Sequence, residues 1–249
     1  MRVCEIFCSR QGEGRLSGTP SVFVRASGCN LRCRWCDTPY ASWSPEGEDL
    51  AVEEIVERVE GLAAKLDASG GPSRAAGEAS SGGPRRHVVL TGGEPMLFAE
   101  LVPLSESLRR RGYHVTIETA GTLFLPVACD LMSISPKTAG SAPAADADPR
   151  WHARHERSRH APEVIRRLIA GYDYQLKFVI EGLDDCDEVE RWLAEFPEVD
   201  RRRVMLMPEG TEPAALSARA KWLAPHCHAR GLTFCPRHHI EWFGAGRGK

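Results

Sequence analysis

The chain alternates apolar runs of strand length with stretches of helical period, and this alternation restricts its fold more than any other feature. Residues 21–26 (SVFVRA), 87–91 (HVVLT), 114–118 (HVTIE), 130–135 (DLMSIS), 174–181 (YQLKFVIE), 204–207 (VMLM) and 232–235 read as strands. Between several of them lie helical patterns at 52–66, 97–111, 161–171, 188–196 and 213–230. In the first helix Val52, Ile55, Val56, Val59, Leu62, Ala63 and Leu66 share one face, and Asp49 suits its cap. Cys4 and Cys8 alternate with apolar residues in a further strand at the start. Strand–helix–strand order calls for right-handed crossovers, hence an α/β fold with mostly parallel strands, open or curled into a partial barrel. No internal repeat stands out.

At 249 residues one or two domains fit, and α/β barrels of this size often form one. The 32 basic and 34 acidic side chains leave a net charge of −2, which argues against a protein that coats nucleic acid. No apolar run approaches the roughly 18–20 residues of a membrane span, and the first residues carry no signal-peptide core, so the expectation is a cytoplasmic protein without membrane association. Two stretches interrupt the pattern. Residues 69–84 are low-complexity (SGGPSRAAGEASSGGP), as a flexible loop would be. Residues 140–162 carry Arg150, Arg154, Arg157, Arg159, His152, His155 and His160; such a charge run reads as a solvated surface insertion, as does Arg201-Arg202-Arg203. The organisation expected is one domain over 1–249 with surface insertions at 69–86 and 140–162.

Nine cysteines are an odd number for a disulfide framework in a reducing compartment. Cys4, Cys8, Cys129, Cys186, Cys227 and Cys235 are scattered and read as small packing residues. Cys29, Cys33 and Cys36 differ, because they fall within eight residues at the spacing CxxxCxxC. Three thiols on one loop favour a soft metal. Structural zinc wants four protein ligands, and no fourth follows at a zinc-finger interval. Three thiolates suit a four-iron cluster with one iron left open, and spacing favours that cluster over zinc.

Parallel α/β sheets place chemistry at the C-terminal ends of their strands. Here those ends are polar or glycine-containing: residues 25–36, Thr91-Gly92-Gly93-Glu94-Pro95, Glu118-Thr119, Ser135-Pro136-Lys137, Lys177 and Met207-Pro208-Glu209-Gly210.

CxxxCxxC followed by GGEP, with a strand before each, resembles the radical S-adenosylmethionine enzymes. Within that superfamily the chain is similar to the 7-carboxy-7-deazaguanine synthases. Gln11-Gly12-Glu13-Gly14, Phe23-Val24-Arg25, Trp35-Cys36-Asp37-Thr38, Ser135-Pro136-Lys137, Gln175-Leu176-Lys177-Phe178-Val179 and His239-Ile240-Glu241-Trp242-Phe243-Gly244 carry that likeness, which spans nearly the whole chain outside the two interruptions. The resemblance implies a partial (β/α) barrel of the radical S-adenosylmethionine type. It implies a carbon–nitrogen lyase that converts 6-carboxy-5,6,7,8-tetrahydropterin into 7-carboxy-7-deazaguanine with loss of ammonia, on the route to queuosine-type deazapurines. It also implies a 4Fe–4S cluster on Cys29, Cys33 and Cys36, S-adenosylmethionine cleaved to a 5′-deoxyadenosyl radical, Mg2+, an electron donor such as a flavodoxin or ferredoxin, and a homodimer.

Roles follow for the matched residues. Trp35, Cys36 and Asp37 lie beside the cluster and suit contacts to the adenosine portion. Gly93, with Gly92, permits close backbone approach to the methionine amino group, while Glu94 can accept from that ammonium or hold the turn. Ser135, Pro136 and Lys137 suit the ribose and carboxylate, and Met207, Pro208, Glu209 and Gly210 suit the adenine. For the substrate, Glu13 and Gln11 can read the amino-pyrimidine edge, with Arg10 and Gly12 beside them. Arg25 can pair bidentately with the substrate carboxylate. Thr91 can contact substrate from the floor, and the Thr38 hydroxyl suits a hard Mg2+. His239 is either a pocket-closing residue or an ordinary surface histidine.

Two other classes remain at this stage. A glycyl-radical activase also carries CxxxCxxC but acts on a protein chain, and QGEG with WCDT favours a small-molecule pocket instead. A zinc-bound interaction module leaves the ordered strand-end motifs unexplained.

Overall fold

The computed structural model describes residues 1–68, 86–244 and 246–248. The expected loop at 69–84 lies outside the described residues. The first strand, β1 (Arg2–Arg10), pairs antiparallel with β2 (Pro20–Ala26) and with the short β3 (Glu48–Asp49). Then come β4 (His87–Gly92), β5 (His114–Thr119), β6 (Leu131–Ile134), β7 (Tyr174–Ile180), β8 (Val204–Pro208) and β9 (Thr233–Phe234). Among the described residues these form one nine-stranded sheet ordered β3-β1-β2-β4-β5-β6-β7-β8-β9. Every pairing from β2 to β9 is parallel, so the expected mostly parallel partial barrel is what the chain forms.

The strands' period of two sorts side chains onto two different faces. Val22, Val24, Val88, Leu90, Val115, Ile117, Met132, Ile134, Leu176, Phe178, Val204 and Leu206 all join one core. That core is completed from helices α2 (Val52–Ala68), α3 (Leu101–Arg110), α5 (Pro162–Gly171), α6 (Leu183–Glu195) and α7 (Pro213–Ala229), for example by Ile55, Leu104, Ile165, Val189 and Leu223. The alternate residues Phe23, Arg25, Thr91, Glu118, Ser133, Lys177 and Met207 line a cavity on the other face. Strands β2, β4, β5, β6 and β7 thus each carry a polar or charged residue toward a common interior, and β8 contributes Met207.

Four sequence expectations shift. Asp49 does not cap α2; it sits in β3 opposite Arg2, and Glu54 Oε2 reaches back to the Ala51 N–H at 2.8 Å instead. The helix expected from residue 97 begins at Leu101, because Glu94 draws residues 95–97 into a 3-10 turn by accepting the Met96 N–H. The helix expected from residue 188 begins at Leu183, where the Asp185 carboxylate accepts the N–H groups of Glu181 and Gly182. The largest correction concerns 140–162. Residues 149–159 form α4 (Pro149–Arg159), started by Asp148 accepting from the Trp151 N–H, and its His155 is fully buried. This segment faces inward along one side rather than lying wholly in solvent.

Candidate active site

The cavity holds about 340 Å3 and opens at the C-terminal ends of the parallel strands. Register explains which side chains meet there. Arg25 stands opposite Thr91, Glu118 opposite Ser133, and Ser133 opposite Gln175, forming a polar rung across five strands. Thr91 Oγ1 donates to Glu118 Oε2 at 2.9 Å, and Gln11 Nε2 donates to Glu118 Oε1 at 3.1 Å.

Lys177 is the centre of this interior charge. Its ammonium, 5% exposed, donates to Glu13 Oε2 at 2.8 Å and stands 3.5 Å from Glu118 Oε1. Arg237 Nε lies 3.5 Å from Glu13 Oε1, and its guanidinium also bonds Asp37. Burial by itself would raise the Glu13 carboxyl, but Lys177, Arg237 and His239 outweigh it and hold that carboxyl well below the usual carboxylate range. Burial opposes the charged form of Lys177 in the same way, yet Glu13 and Glu118 hold it above the usual lysine range. His239 is pushed down by burial, against the pull of Glu13. Its ring packs where a side chain on Gly12 would stand, so the loop after β1 and the C-terminal helix α8 (His238–Phe243) abut.

The cysteine loop follows β2 directly. Gly28 N–H donates to Ala41 O, Glu94 N–H to Gly28 O and Gly93 N–H to Ala26 O, at 2.7, 2.8 and 3.1 Å, so the GGEP turn is sewn to the start of the loop. A Cβ on Gly93 would overlap the carbonyl oxygens of Gly28 and Ala41, so only glycine allows this approach. Cys29, Cys33 and Cys36 all line the cavity. Burial raises Cys29 to about 12, with Glu94 adding to it, and raises Cys33 to about 11 against the pull of Lys137. Such thiols stay protonated near neutrality unless a metal displaces the protons. Among the described residues no three His, Cys, Asp or Glu side chains gather around a single ion. Three cysteine thiols lining one cavity match the thiolate ligand chemistry of iron–sulfur clusters.

Most of the residues singled out in sequence line this cavity: Arg10, Gln11, Gly12, Glu13, Arg25, Trp35, Asp37, Thr38, Thr91, Gly93, Ser135, Lys137, Met207, Glu209 and His239. Pro136, Pro208, Gly210 and Glu94 do not. Glu94 is fully buried and accepts from Met96 N, Thr119 Oγ1 and Ala120 N at 3.0, 2.8 and 2.8 Å. Of its two candidate roles, the one seen is holding the turn. Lys137 Nζ donates to the Ser135 carbonyl and hydroxyl at 2.8 and 2.7 Å, and lies 5.9 Å from the Trp35 ring centre. Arg25 Nε donates to Glu5 Oε1 at 2.7 Å, which orients the guanidinium. Sequence reasoning left Lys177 and Glu118 as polar strand ends without a role and passed over Arg237. For Lys177 a signal was available: Gln175 and Lys177 occupy alternate positions of one strand, and so share a face.

Curated relatives decide the family. A 7-carboxy-7-deazaguanine synthase of Rhodopirellula baltica is 42% identical over 247 residues, covering 99% of this chain and 88% of that protein. The chain belongs to the 7-carboxy-7-deazaguanine synthase family. A synthase of Halobacterium salinarum is 41% identical over 95% of this chain and 88% of its own. No family model matches. Among solved structures, QueE from Escherichia coli superposes with a TM-score of 0.63 at 23% identity, covering 96% of this chain and 94% of its own. Streptococcus suis SuiB bound to S-adenosylmethionine reaches 0.52 at 13% identity over 85% of this chain and 48% of that one. Both likenesses show the fold: the chain shares the overall architecture of these two structures. No helix among the described residues is long and apolar enough to cross a membrane.

Proposed function

We propose that this chain is a radical S-adenosylmethionine lyase that converts 6-carboxy-5,6,7,8-tetrahydropterin to 7-carboxy-7-deazaguanine, with loss of ammonia, for queuosine-type deazapurine synthesis. The observation that carries it is the full-length likeness to curated synthases, joined to three cysteines and a charged interior on one cavity. A glycyl-radical activase is the poorer account, because the interior acids and bases are paired around a space of small-molecule size.

Cys29, Cys33 and Cys36 would hold the 4Fe–4S cluster, with S-adenosylmethionine on its open iron. Bound there, the pair supplies a hydrogen-abstracting carbon radical. The chain's residues do the remaining work of binding and orientation. Lys137 would offer its ammonium to the methionine carboxylate, while Gly93 and Ser135 would hold the amino acid and ribose. Trp35, Asp37, Met207 and Glu209 line the cavity and would wall the adenosine side. Glu118 and Glu13 accept from the amidine edge of the pterin, and Gln11, already bonded to Glu118, extends that edge. Arg25, braced by Glu5, keeps its remaining N–H groups for the substrate carboxylate. Arg10 and Gly12 form the rim beside them.

Thr38 is the Mg2+ ligand of this scheme. It precedes the short helix α1 (Pro39–Ser42), where its hydroxyl makes no capping bond and instead lies 3.8 Å from Cys36 Sγ, and its oxygen is a hard ligand of the kind Mg2+ takes. An external one-electron carrier such as a flavodoxin or ferredoxin would supply the electron that the cluster needs. The protein works in the cytoplasm as a homodimer, for which the exposed pair Trp242 and Phe243 offers apolar surface. Anaerobic reconstitution with iron and sulfide, followed by assay with dithionite, S-adenosylmethionine and the carboxytetrahydropterin, tests the reaction. Formation of carboxydeazaguanine is expected; cofactor cleavage without that product would refute the substrate assignment.

A further inference from the structure

The histidine-rich stretch at 140–162 is the motif that the reaction does not absorb. Its α4 places His155, with no exposed surface, directly against the cysteine loop. The Arg32 backbone N–H donates to His155 Nδ1 at 3.2 Å. An imidazole that accepts at Nδ1 carries its proton on Nε2 when neutral. Nε2 lies 2.8 Å from Ser141 Oγ, whose hydroxyl in turn donates to Thr138 O at 2.6 Å. The chain of donors therefore runs one way, from Nε2–H through Ser141 to the Thr138 carbonyl. Burial lowers the His155 pKa to about 4, so the neutral tautomer persists across the working range of pH.

The contact is not isolated. Arg34 N–H donates to Ser141 O at 2.9 Å, which ties the loop a second time to the same turn. The Arg32 guanidinium stacks 3.9 Å from the centre of the Trp151 ring on α4, and donates to the carbonyls of Cys29 and Leu31 at 3.2 and 2.9 Å. At the other end of α4, Arg159 NH1 donates to Lys137 O at 3.1 Å. One helix thus touches both the backbone between the first two thiols and the turn that begins with Ser135 and Lys137.

Resting on the assignment of Cys29, Cys33 and Cys36 as cluster ligands, we propose that His155 is a positioning residue for the cysteine loop. By accepting the Arg32 N–H it sets the peptide between Cys29 and Cys33, and through Nε2 and Ser141 it couples the cluster-holding loop to the Thr138 carbonyl, next to the Lys137 carbonyl that Arg159 of the same helix holds. Outer-shell hydrogen bonds that orient metal ligands typically cost about 10–100-fold in metal affinity or activity when removed.

The experiment uses reconstituted, anaerobic full-length protein and follows loss of the brown absorbance under a ferrous chelator. A companion electron paramagnetic resonance spectrum of the reduced cluster is taken with and without S-adenosylmethionine. His155→Ala is expected to lose iron about 10–100-fold faster than wild type and to alter that spectrum. His155→Asn places an oxygen near the Nδ1 position and restores slow loss; His155→Gln mimics only Nε2 and does not. Arg157→Ala, on the exposed side of α4, keeps wild-type retention. Circular dichroism checks each fold, and where His155→Ala fails to fold the Asn and Gln pair decides. Wild-type retention in His155→Ala, equal rates for the Asn and Gln variants, or fast loss in Arg157→Ala would each overturn the inference. Cys29→Ala separates the two levels. If it keeps the wild-type cluster, the ligand assignment fails; if it loses the cluster while His155→Ala is unaltered, only the positioning role fails.

Discussion

Replacing Lys177 by Met removes the cation that two buried carboxylates share. At an effective dielectric near 20, its attraction to Glu13 at 2.8 Å is about 6 kcal/mol, and to Glu118 at 3.5 Å about 5 kcal/mol. Burying the ammonium costs several kcal/mol in return, so the loss on removal is smaller than this sum and falls near the roughly 3–5 kcal/mol seen for broken buried pairs. Glu13 retains Arg237, and Glu118 retains Gln11 and Thr91, which places the expected loss at the lower end, about 3 kcal/mol. The pH dependence has a definite sign. In the wild type, Glu13 lies below its usual range, so its contribution is present above an unfolded pKa of about 4.3 and is lost as acid takes the pH through the folded value. Lys177 lies above its usual range, so its contribution holds below about 10.4 and is lost as the pH rises through the folded value. The pair is therefore at full strength at both pH 5 and pH 8. In Lys177→Met the Glu13 carboxyl moves upward, and at pH 5 protonating it relieves the variant by about 1.4 kcal/mol for each unit by which its folded value passes 5. Urea unfolding followed by far-ultraviolet circular dichroism, with variant and wild type compared at each pH, reads the deficit. It should be near 3 kcal/mol at pH 8 and smaller at pH 5. A deficit below about 1 kcal/mol, or one equal at both values, would refute the triad as a stabilising unit.

Three shorter predictions follow from the same cavity. Gly93→Ala drives a methyl group into two backbone carbonyls and should cost about 1–3 kcal/mol, visible as a thermal midpoint lowered by several degrees; an unchanged midpoint would mean that the turn can shift freely. Arg25→Ala should leave the iron content intact while raising the KM for the carboxytetrahydropterin about 10–100-fold, the worth of a charged hydrogen bond. An unchanged KM removes Arg25 from the carboxylate site. For Thr38→Ala the Mg2+ concentration giving half-maximal activity should rise, and superimposable titrations would take Thr38 out of the metal site.

The strands were legible because alternation and apolar content are local properties. Residues 21–26, 114–118 and 204–207 needed no partner to be recognised, and their neighbours in the sheet follow from right-handed crossovers. The helix starts were misread where a side chain captures backbone donors before the apolar period begins, as Asp185 does for Glu181 and Gly182. Asp49 was misread for the opposite reason. It has the chemistry of a cap, but pairing with Arg2 across the sheet claims its backbone.

For the site, sequence reasoning found the residues that stand close together in the chain: the CxxxCxxC loop, the GGEP turn, and QGEG. What it did not find depends on distance along the chain. Lys177 and Glu13 are separated by 164 residues, Arg237 and Asp37 by 200, and His155 and Arg32 by 123. The amino-acid sequence alone determined the parallel α/β architecture, the thiol-bearing loop and the chemical class of the reaction. Only the tertiary structure decided which interior charges neutralise one another, that Glu94 holds a turn, and that a basic stretch resembling a solvated insertion turns one histidine inward. The physical reason is that burial and ion pairing are properties of the assembled interior. A lysine or histidine has the same side chain in solvent and in the core, and only its neighbours, brought together by folding, set its charge, its tautomer and its work.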